Sequence, residues 1–316
     1  MKSSNPIQAL VFHSHGVGQI LRLPAFPKKG ETIWTSSWEI GNDGAKGSNV
    51  AVALSNLGIT TAFAGKVGTD IWGEIGLDWL NRSDVDLSCL IHDPQMPSMI
   101  GMVLIDDKGE NSILLGGASA HFTEQEIRTA IHAFPSADFL ITGFEIHIPD
   151  ALKIARYGKQ CKKYVILNPS PTPTFDIGPL PWVDLLILNQ PESEALLTLQ
   201  GVRTIGTPRE QLLQLHKQYL CPNIILTLGG EGSLLLEQEK ISFFPSKKVS
   251  VVDTSGAGDS FLAAVAACLI RGSSLSNACR FAAVYASYTV QKRGTFPAFA
   301  SRQYILEHEP AYAGCL

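Results

Sequence analysis

The sequence predicts an α/β fold, in which a mostly parallel central sheet carries helices on both faces. Short apolar runs at 139–143, 164–168, 185–189 and 224–228 alternate with helical segments. Continuous apolar runs of this length are typical of strands that are buried on both faces. Ligands of such sheets bind beyond the carboxyl ends of the strands. Polar residues gather at those ends, so we expect the functional site there: Glu145, Asn168, Asn189, Thr227 and Asp253.

The composition describes a globular protein with no general affinity for nucleic acid. The 316 residues are 45% hydrophobic and 17% charged, which is enough apolar material for a sizeable core. The formal net charge of -4 gives no broad attraction to nucleic acid or to anionic lipid. The longest apolar run, 261–270, is too short to span a membrane, and residues 1–6 lack the apolar core of a secretory signal.

The six cysteines are scattered along the chain and form no Cys-x-x-Cys pair. In a chain of this length, that pattern favours reduced thiols over a disulfide framework or a zinc site. We therefore expect a cytoplasmic protein.

The first half of the chain predicts a buried strand at 8–12 and a second, smaller sheet. Residues 33–40 are rich in β-type residues, and 99–105 with 111–115 predict a hairpin around the turn at 106–109. Between these segments, a glycine-rich loop opens a helix that ends at Gly58. Lys46 and Asn49, at the mouth of this helix, suit a polyhydroxyl ligand, although the loop could also be a plain helix N-cap.

A Gly-Ala-Gly turn at 256–258 has the strongest chemical signal. The β-type run 248–252 predicts a strand before it, and the small-residue run 261–270 predicts a helix after it. A helix start offers free N–H groups and a positive dipole to an anion. Asp259 would repel a bare phosphate, unless it takes a proton from an attacking hydroxyl group. The alternative is an ordinary turn in which Asp259 is a first-turn helix carboxylate.

The string Asp-Thr-Ser-Gly-Ala-Gly-Asp-Ser-Phe at 253–261 resembles the C-terminal signature of the ribokinase-like (PfkB) carbohydrate kinases. Gly44-Ala45-Lys46-Gly47-Ser48-Asn49 resembles the N-terminal signature of the same family. The elements Asn189-x-x-Glu192 and Thr227-x-Gly229-x-x-Gly232 also match it. The resemblance spans about residues 10–305 and implies a ribokinase-like fold in one domain, 1–316. It further implies that 16–40 and 98–116 form a β-sheet lid, which is often the dimer contact.

The resemblance also implies a role for each matching residue. Asp259 would be the catalytic base, and Gly256, Ala257 and Gly258 the anion hole. The sugar would be held by Gly44, Ala45, Lys46, Asn49, Glu145 and Asp259. ATP would be bound by Asn189, Glu192, Thr227, Gly229 and Gly232. Asn189 and Glu192 would organise Mg²⁺ through water, although Glu192 could be a plain first-turn carboxylate. Asp253, with Ser255 and the Gly294 region, would bind a monovalent cation such as K⁺.

One departure concerns substrate choice. Ribokinase-like sequences usually carry Asn-x-Asp after the first strand, and that Asp binds two sugar hydroxyl groups. Gly16 and Gly18 stand at these two positions here. A pocket built to bind a hydroxyl group discriminates strongly, so this loss should alter the substrate. His13, His15 or Gln19 could compensate. His13 and His15 could also form a metal pair, but no third ligand lies nearby in the sequence.

The sequence therefore predicts an ATP-dependent kinase that phosphorylates a hydroxyl group of a sugar or a similar polyhydroxyl molecule, as a homodimer. Two alternatives stay open. One is a kinase of the same family for a nucleoside, a keto-sugar acid or a sugar phosphate. The other is a non-catalytic regulator that binds a sugar or a nucleotide on the same fold.

Overall fold

The computed structural model describes residues 6–202 and 206–316. Residues 1–5 lie outside this range. They belong to the segment 1–6, in which no secretory signal is expected from the sequence. The strands are β1 (Ala9–Phe12), β2 (Gly16–Leu23), β3 (Ser37–Gly44), β4 (Thr61–Gly68), β5 (Asp86–Asp93), β6 (Met99–Asp106), β7 (Asn111–Gly116), β8 (Phe139–Gly143), β9 (Tyr164–Asn168), β10 (Leu185–Asn189), β11 (Asn223–Thr227), β12 (Gly232–Glu237) and β13 (Lys240–Pro245). The α-helices are α1 (Lys46–Asn56), α2 (Ile71–Arg82), α3 (Glu124–Ala133), α4 (Ile148–Gln160), α5 (Gln190–Leu199), α6 (Pro208–Tyr219), α7 (Ala257–Ile270), α8 (Leu275–Thr289) and α9 (Arg302–His308).

A nine-stranded sheet forms the centre, in the order β13-β12-β11-β10-β9-β8-β1-β4-β5. Its pairs from β11 to β5 are parallel, and the two pairs at one edge, β11–β12 and β12–β13, are antiparallel. The predicted mostly parallel sheet is therefore confirmed, and the apolar runs predicted as strands form β8, β9, β10 and β11.

The strands are apolar throughout because both faces of the sheet are covered. Ala9 and Val11 of β1 belong to one buried core, which includes residues of α1, α7 and α8. Leu10 and Phe12 point the other way, into a second core with residues of α3, α4, α5 and α6. Successive side chains of a strand point to opposite faces, so a strand between two helical layers must be apolar at every position.

The order in which the chain adds strands to the sheet reverses at β1, which pairs in parallel with β4 on one side and with β8 on the other. From β1 the chain builds the sheet outward to β5, and then returns to β8 and builds toward β11. Such a reversal opens a crevice at the carboxyl ends of the two central strands. The residues that follow β1 and β8, among them Ser14 and Glu145, therefore lie at the mouth of this crevice.

A second sheet has four strands in the order β3-β2-β6-β7. The predicted hairpin forms β6 and β7, which pair antiparallel. The predicted boundaries of β3 were wrong, because the strand begins at Ser37 and continues through Gly44, a segment expected to be loop. The lid strands therefore cover residues 16–44 and 99–116. Trp34 and Trp38 are exposed and do not belong to the core.

The strand predicted at 248–252 is absent from the structure. These residues have an irregular backbone, and the side chains of Val251 and Val252 are exposed. The edge of the sheet is instead the β12–β13 hairpin, which the sequence analysis did not identify. Helices α3 and α6 were also missed, although each begins with a Thr-x-x-Glu capping box, at Thr123 and Thr207.

All six cysteines lie among the described residues, and none of them forms a disulfide, as the sequence predicts. Within residues 6–202 and 206–316, every helix is too short or too polar to cross a membrane.

Candidate active site

Two cavities lie on either side of the first turn of α7. The first, which we name the lid cavity, has a volume of about 320 Å³ and lies between the lid and the carboxyl ends of the central strands. The second, which we name the edge cavity, has a volume of about 460 Å³ and lies between α7, α8 and the antiparallel edge of the sheet. Gly256 and Asp259 line the lid cavity, whereas Ala257 and Gly258 line the edge cavity. The Gly-Ala-Gly turn is therefore the wall between the two cavities.

The backbone at this turn requires glycine. Gly256 has φ of +69°, and a Cβ on it would lie 2.8 Å from Cγ2 of Thr295. No side chain caps the helix, so the first turn of α7 presents backbone N–H groups and a positive dipole to the cavities. One of the three N–H groups predicted for the anion hole is already engaged, because Ala257 donates to the carbonyl of Thr254 at 3.2 Å. Gly258 and Asp259 are the next N–H groups of the same turn.

Asp259 is buried and lines the lid cavity. Its Oδ2 accepts a hydrogen bond from Nδ2 of Asn49 at 2.7 Å. Asn49 Oδ1 in turn accepts bonds from Thr295 Oγ1 at 2.9 Å and from the N–H of Gly44 at 3.2 Å. The structure thus brings the two predicted signatures together, although they are about 200 residues apart in the sequence.

Lys46 also lines the lid cavity, where it is surrounded by carboxylates. Burial alone would lower its pKa, but the nearby charges of Asp259, Glu145, Glu192 and Asp43 raise it above the ordinary value. Lys46 is therefore a stable cation at the centre of the site.

Glu145 connects the crevice to α1. Its Oε2 accepts bonds from Ser14 Oγ at 2.6 Å and from the N–H of Lys46 at 2.8 Å. Burial raises the pKa of Glu145, while Lys46 and these two hydrogen bonds oppose the shift. The other predicted substrate residues, Gly44 and Ala45, line the same cavity.

Asp43 is a residue of this site that the sequence analysis missed. It is buried at the end of β3 and lines the lid cavity beside Asp259 and Asn49. Burial raises its pKa to about 7, with smaller upward contributions from the charges of Asp259 and Glu145. The sequence Asn42-Asp43-Gly44 is typical of a turn, so Asp43 was interpreted as a loop residue and not as a site residue. A carboxylate directly before the Gly44 loop was the available signal.

Compensation for Gly18 was expected from His13, His15 or Gln19, but none of these lines the lid cavity. Burial lowers the pKa of His13 to about 3 and that of His15 to about 4, so both rings are neutral. Gln19 Oε1 accepts a bond from Nε1 of Trp38 at 3.2 Å. Over the described ranges, one group of residues could hold a metal ion, and it contains neither His13 nor His15: His121, His147 and Asp150.

Asn189 and Glu192 form a capping box at the start of α5. Asn189 Oδ1 accepts from the N–H of Glu192 at 2.8 Å, and Glu192 Oε2 accepts from the N–H of Asn189 at 3.0 Å. Neither residue lines either of the two cavities. The charge of Glu192 nevertheless raises the pKa of Lys46, which places this carboxylate near the site.

Asp253 closes the loop in front of α7. Its two carboxylate oxygens accept bonds from the N–H of Ser255 at 2.9 Å and from the N–H of Gly294 at 3.1 Å. The three segments expected around the monovalent cation are therefore neighbours.

The edge cavity has a polar side and an apolar side. The apolar side includes Val249, Val251 and Phe261, so the β-type run that does not form a strand is part of a cavity wall. The other side contains Lys247, Lys248 and three of the five residues predicted to bind ATP, namely Thr227, Gly229 and Gly232. This combination suits a molecule with a flat apolar ring and an anionic tail.

Comparison with known proteins places this geometry in a family. A model of the pfkB family carbohydrate kinases matches residues 24–300. A ribokinase of Staphylococcus aureus is 26% identical over 293 residues, which cover 91% of this chain and 94% of that protein. A deoxyribokinase of Salmonella typhi is 27% identical over 300 residues, which cover 94% and 97%.

Solved structures give the same assignment. An Arabidopsis thaliana ribokinase complexed with ribose and ATP superposes with a TM-score of 0.81 at 26% identity, covering 96% of this chain and 98% of that one. A Giardia lamblia ribokinase has a TM-score of 0.86 at 20% identity, covering 98% and 100%, and this shows a shared fold. The resemblance predicted from the sequence motifs is confirmed: the chain belongs to the pfkB family of carbohydrate kinases.

Proposed function

We propose that this protein transfers the γ-phosphoryl group of ATP to a hydroxyl group of an uncharged sugar. One observation carries the proposal: the lid cavity and the edge cavity meet at the first turn of α7, with Asp259 on the lid side. ATP in the edge cavity would point its phosphates at this turn, and a sugar in the lid cavity would place a hydroxyl group at Asp259. The relatives named ribokinase and deoxyribokinase support the same activity.

In the mechanism, Asp259 accepts the proton of the attacking hydroxyl group as a general base. A bond forms between the sugar oxygen and the γ-phosphorus, while the bond from that phosphorus to the bridging oxygen breaks. The products are a sugar phosphate and ADP, and the proton stays on Asp259 until solvent removes it. Backbone N–H groups of the 256–259 turn would donate to the transferring phosphoryl group, and such preorganised donors stabilise its charge.

The residues expected to hold metal ions fit that role. The capping box occupies Asn189 Oδ1 and Glu192 Oε2, so Glu192 keeps its second carboxylate oxygen for a water ligand. Asn189 and Glu192 would thus hold Mg²⁺ through water, and the ion would supply charge neutralisation of the phosphates. Asp253 would supply an oxygen ligand for K⁺ next to Ser255 and Gly294.

The charge of the lid cavity favours a neutral substrate. Its charged lining consists of three carboxylates and one ammonium group: Asp43, Glu145, Asp259 and Lys46. A sugar acid or a sugar phosphate would add a further negative charge to this excess of carboxylates. The free-energy cost of removing that charge from water would not be compensated by a second positive charge in the lining of the cavity. The alternatives with anionic substrates are therefore less favourable than a neutral sugar.

The lid would exclude water from the reaction. Met99, Val103, Ile113 and Leu115 present apolar side chains to the lid cavity, although Ile113 and Leu115 are still exposed. A bound sugar and further closure would bury them and would keep water from competing for the phosphoryl group.

We also propose a homodimer through the lid. The β-sheet register places Met102 opposite Leu114, on the alternate positions to the residues that line the lid cavity. Trp38, Ile40, Met102 and Leu114 of the lid are all exposed. An apolar surface of this kind fits a second copy of the lid, whose own apolar side chains would cover it.

The function is tested by measuring ADP release with a panel of pentoses, hexoses, nucleosides, sugar acids and sugar phosphates. We expect turnover with at least one neutral sugar, and much weaker turnover with D-gluconate and ribose 5-phosphate. A preference for an anionic sugar would contradict the proposed substrate class. Tight binding of a sugar without turnover of any compound would identify a regulator instead.

A further inference from the structure

Strand β3 contains a bulge directly opposite Gly18. In the pairing of β2 with β3, Val17 pairs with Gly44 and Gln19 pairs with Ile40. One residue of β2, Gly18, therefore faces three residues of β3, Gly41 to Asp43. Bulges bend a strand and re-aim its side chains, and they are frequent beside active sites. Here the bulge turns the side chain of Asp43 over Gly18.

Gly18 and Asp43 are sterically complementary. A Cβ on Gly18 would lie 2.4 Å from Cβ, 2.8 Å from Cγ and 2.8 Å from the carbonyl oxygen of Asp43, far inside the contact distance of these atoms. The side chain of Asp43 therefore fills the space that a side chain at position 18 would need, and the backbone of the bulge also closes this space. In this protein the side chain comes from β3, and it ends in a carboxylate.

The carboxylate of Asp43 has weak protein partners for a buried group. It is 9% exposed, and its bond from Nδ2 of Asn49 is long, at 3.5 Å. Thr295 also contributes a side-chain hydrogen bond. A buried carboxylate is costly unless hydrogen bonds compensate it, and this one faces a cavity. The missing compensation can come from a ligand in that cavity.

We propose that Asp43 binds hydroxyl groups of the sugar and is a specificity-determining residue of this kinase. The inference rests on the proposed function. An ionised carboxylate offers two acceptor oxygens, which suit two neighbouring hydroxyl groups. Asp43 would orient the sugar from the lid side, while Asp259 receives the proton of the reacting hydroxyl group from the α7 side.

The proposal has a pH signature. The charged groups that face Asp43 are Asp259 on α7, Glu145 after β8 and Lys46 on α1. Burial, with the charges of Asp259 and Glu145, raises the pKa of Asp43 to about 7. Only the ionised form accepts two hydroxyl protons. The affinity for the sugar should therefore rise as the pH increases through 7.

The test replaces Asp43 by Asn and measures steady-state kinetics with the neutral sugar that the wild type uses at the lowest KM. We expect the KM for the sugar to rise about 10-fold or more, as for the loss of hydrogen bonds to a charged group. The KM for ATP should stay within about twofold, because Asp43 does not line the edge cavity. The wild-type KM for the sugar should fall between pH 6 and pH 8, whereas that of Asp43→Asn should depend much less on pH in this range.

A second pair of variants keeps the test valid if Asp43→Asn folds poorly. Asp43→Gly should lose sugar affinity. The variant Asp43→Glu keeps a carboxylate at this position and should recover part of the affinity and of its pH dependence. A purely structural role of Asp43 would predict no such recovery and no change in the pH profile.

Each outcome has one meaning. An unchanged KM and pH profile in Asp43→Asn, with turnover intact, overturns the role of Asp43 and leaves the proposed function standing. Turnover with anionic sugars alone overturns the neutral substrate class, and the inference with it. A wild type that phosphorylates no compound of the panel contradicts the proposed function itself, and the inference falls with that function.

Discussion

Asn49 donates a hydrogen bond to Asp259 at 2.7 Å and so connects α1, at the lid cavity, to the first turn of α7. The orientation of the amide is fixed, because Asn49 Oδ1 accepts bonds from Thr295 and Gly44. The bond uses Oδ2 of Asp259, which leaves Oδ1 for the hydroxyl group of a substrate. We therefore expect Asn49, which lines the lid cavity, to position the proposed base.

The replacement Asn49→Ala should lower kcat about 10-fold or more, because a hydrogen bond to a charged group is lost and Asp259 is no longer held in one orientation. The replacement Asn56→Ala is the matched control. Asn56 lies on the same helix and bonds the carbonyl of Phe299 at 3.1 Å, outside both cavities. It should leave kcat unchanged. Equal kinetics for the two variants would show that Asn49 does not orient the base.

The replacement Asp259→Asn should lower kcat on the order of 10²-fold or more, the range expected for a general base. ATP should still bind, because Asp259 lines the lid cavity and not the edge cavity. Turnover is measured by ADP release, and ATP binding by calorimetry without sugar. The exposed Asp84→Asn is the control for the loss of one negative charge. A near-normal kcat in Asp259→Asn would rule out the proposed base.

Two glycines of the same turn should respond in opposite ways. A Cβ on Gly258 would meet no described atom within 4 Å, and it would project at the edge cavity. The replacement Gly258→Leu should therefore keep the fold, since leucine favours a helix by up to about 1 kcal/mol over glycine, but it should raise the KM for ATP.

The replacement Gly256→Ala should lower stability by about 1 kcal/mol or more, because the residue has φ of +69° and its Cβ would contact Thr295. Thermal unfolding measures the loss of stability in Gly256→Ala, and the KM for ATP measures the loss of ATP binding in Gly258→Leu. If Gly258→Leu left ATP binding intact, the first turn of α7 would not be the phosphate site.

The sequence predicted the central sheet because its strands are buried on both faces and are therefore apolar without interruption. The strands β8 to β11 follow from this rule alone. The same rule failed at 248–252, where Val249 and Val251 are apolar because they line the edge cavity. A run of β-branched residues indicates that these side chains contact apolar groups. The sequence does not show whether those groups belong to a neighbouring strand or helix, or to a ligand in a cavity.

Asp43 shows a second limit of the sequence. Its position in the site depends on the bulge opposite Gly18, and a bulge is a property of the pairing between two strands. The residues Gly41, Asn42 and Asp43 are typical of a loop, so the sequence indicated a turn. Glu145, in contrast, was expected at the carboxyl ends of the strands, because it follows a buried strand. In the structure it lies there and accepts a hydrogen bond from the N–H of Lys46.

The proposed dimer predicts that Leu114→Glu shifts the protein to a monomer in sedimentation experiments. Leu114 is 55% exposed on the lid, and two buried glutamates per dimer would remain unpaired in an apolar interface. Leu213→Glu on α6, where the leucine is 51% exposed, is the matched control and should not change the mass. A wild type that sediments as a monomer would contradict the dimer.

Asp43 should also make the sugar-free protein less stable as the pH increases. Its pKa is raised from the ordinary value of 3.8 to about 7 in the folded protein. Between these values the folded state keeps a proton that the unfolded chain has released, so the stability falls by at most about 1.4 kcal/mol per pH unit. Below pH 4 both states are protonated, and above pH 7 the loss is complete.

The replacement Asp43→Asn removes this dependence. Its Tm should exceed that of the wild type by a margin that grows between pH 5 and pH 7 and then stays constant. Glu145 also has a raised pKa, but it is present in both proteins and largely cancels in the difference. If the Tm values of the wild type and of Asp43→Asn changed equally with pH, the pKa of Asp43 would not be raised by folding. A variant that is more stable and binds sugar less tightly is the result expected of a residue that is retained for binding.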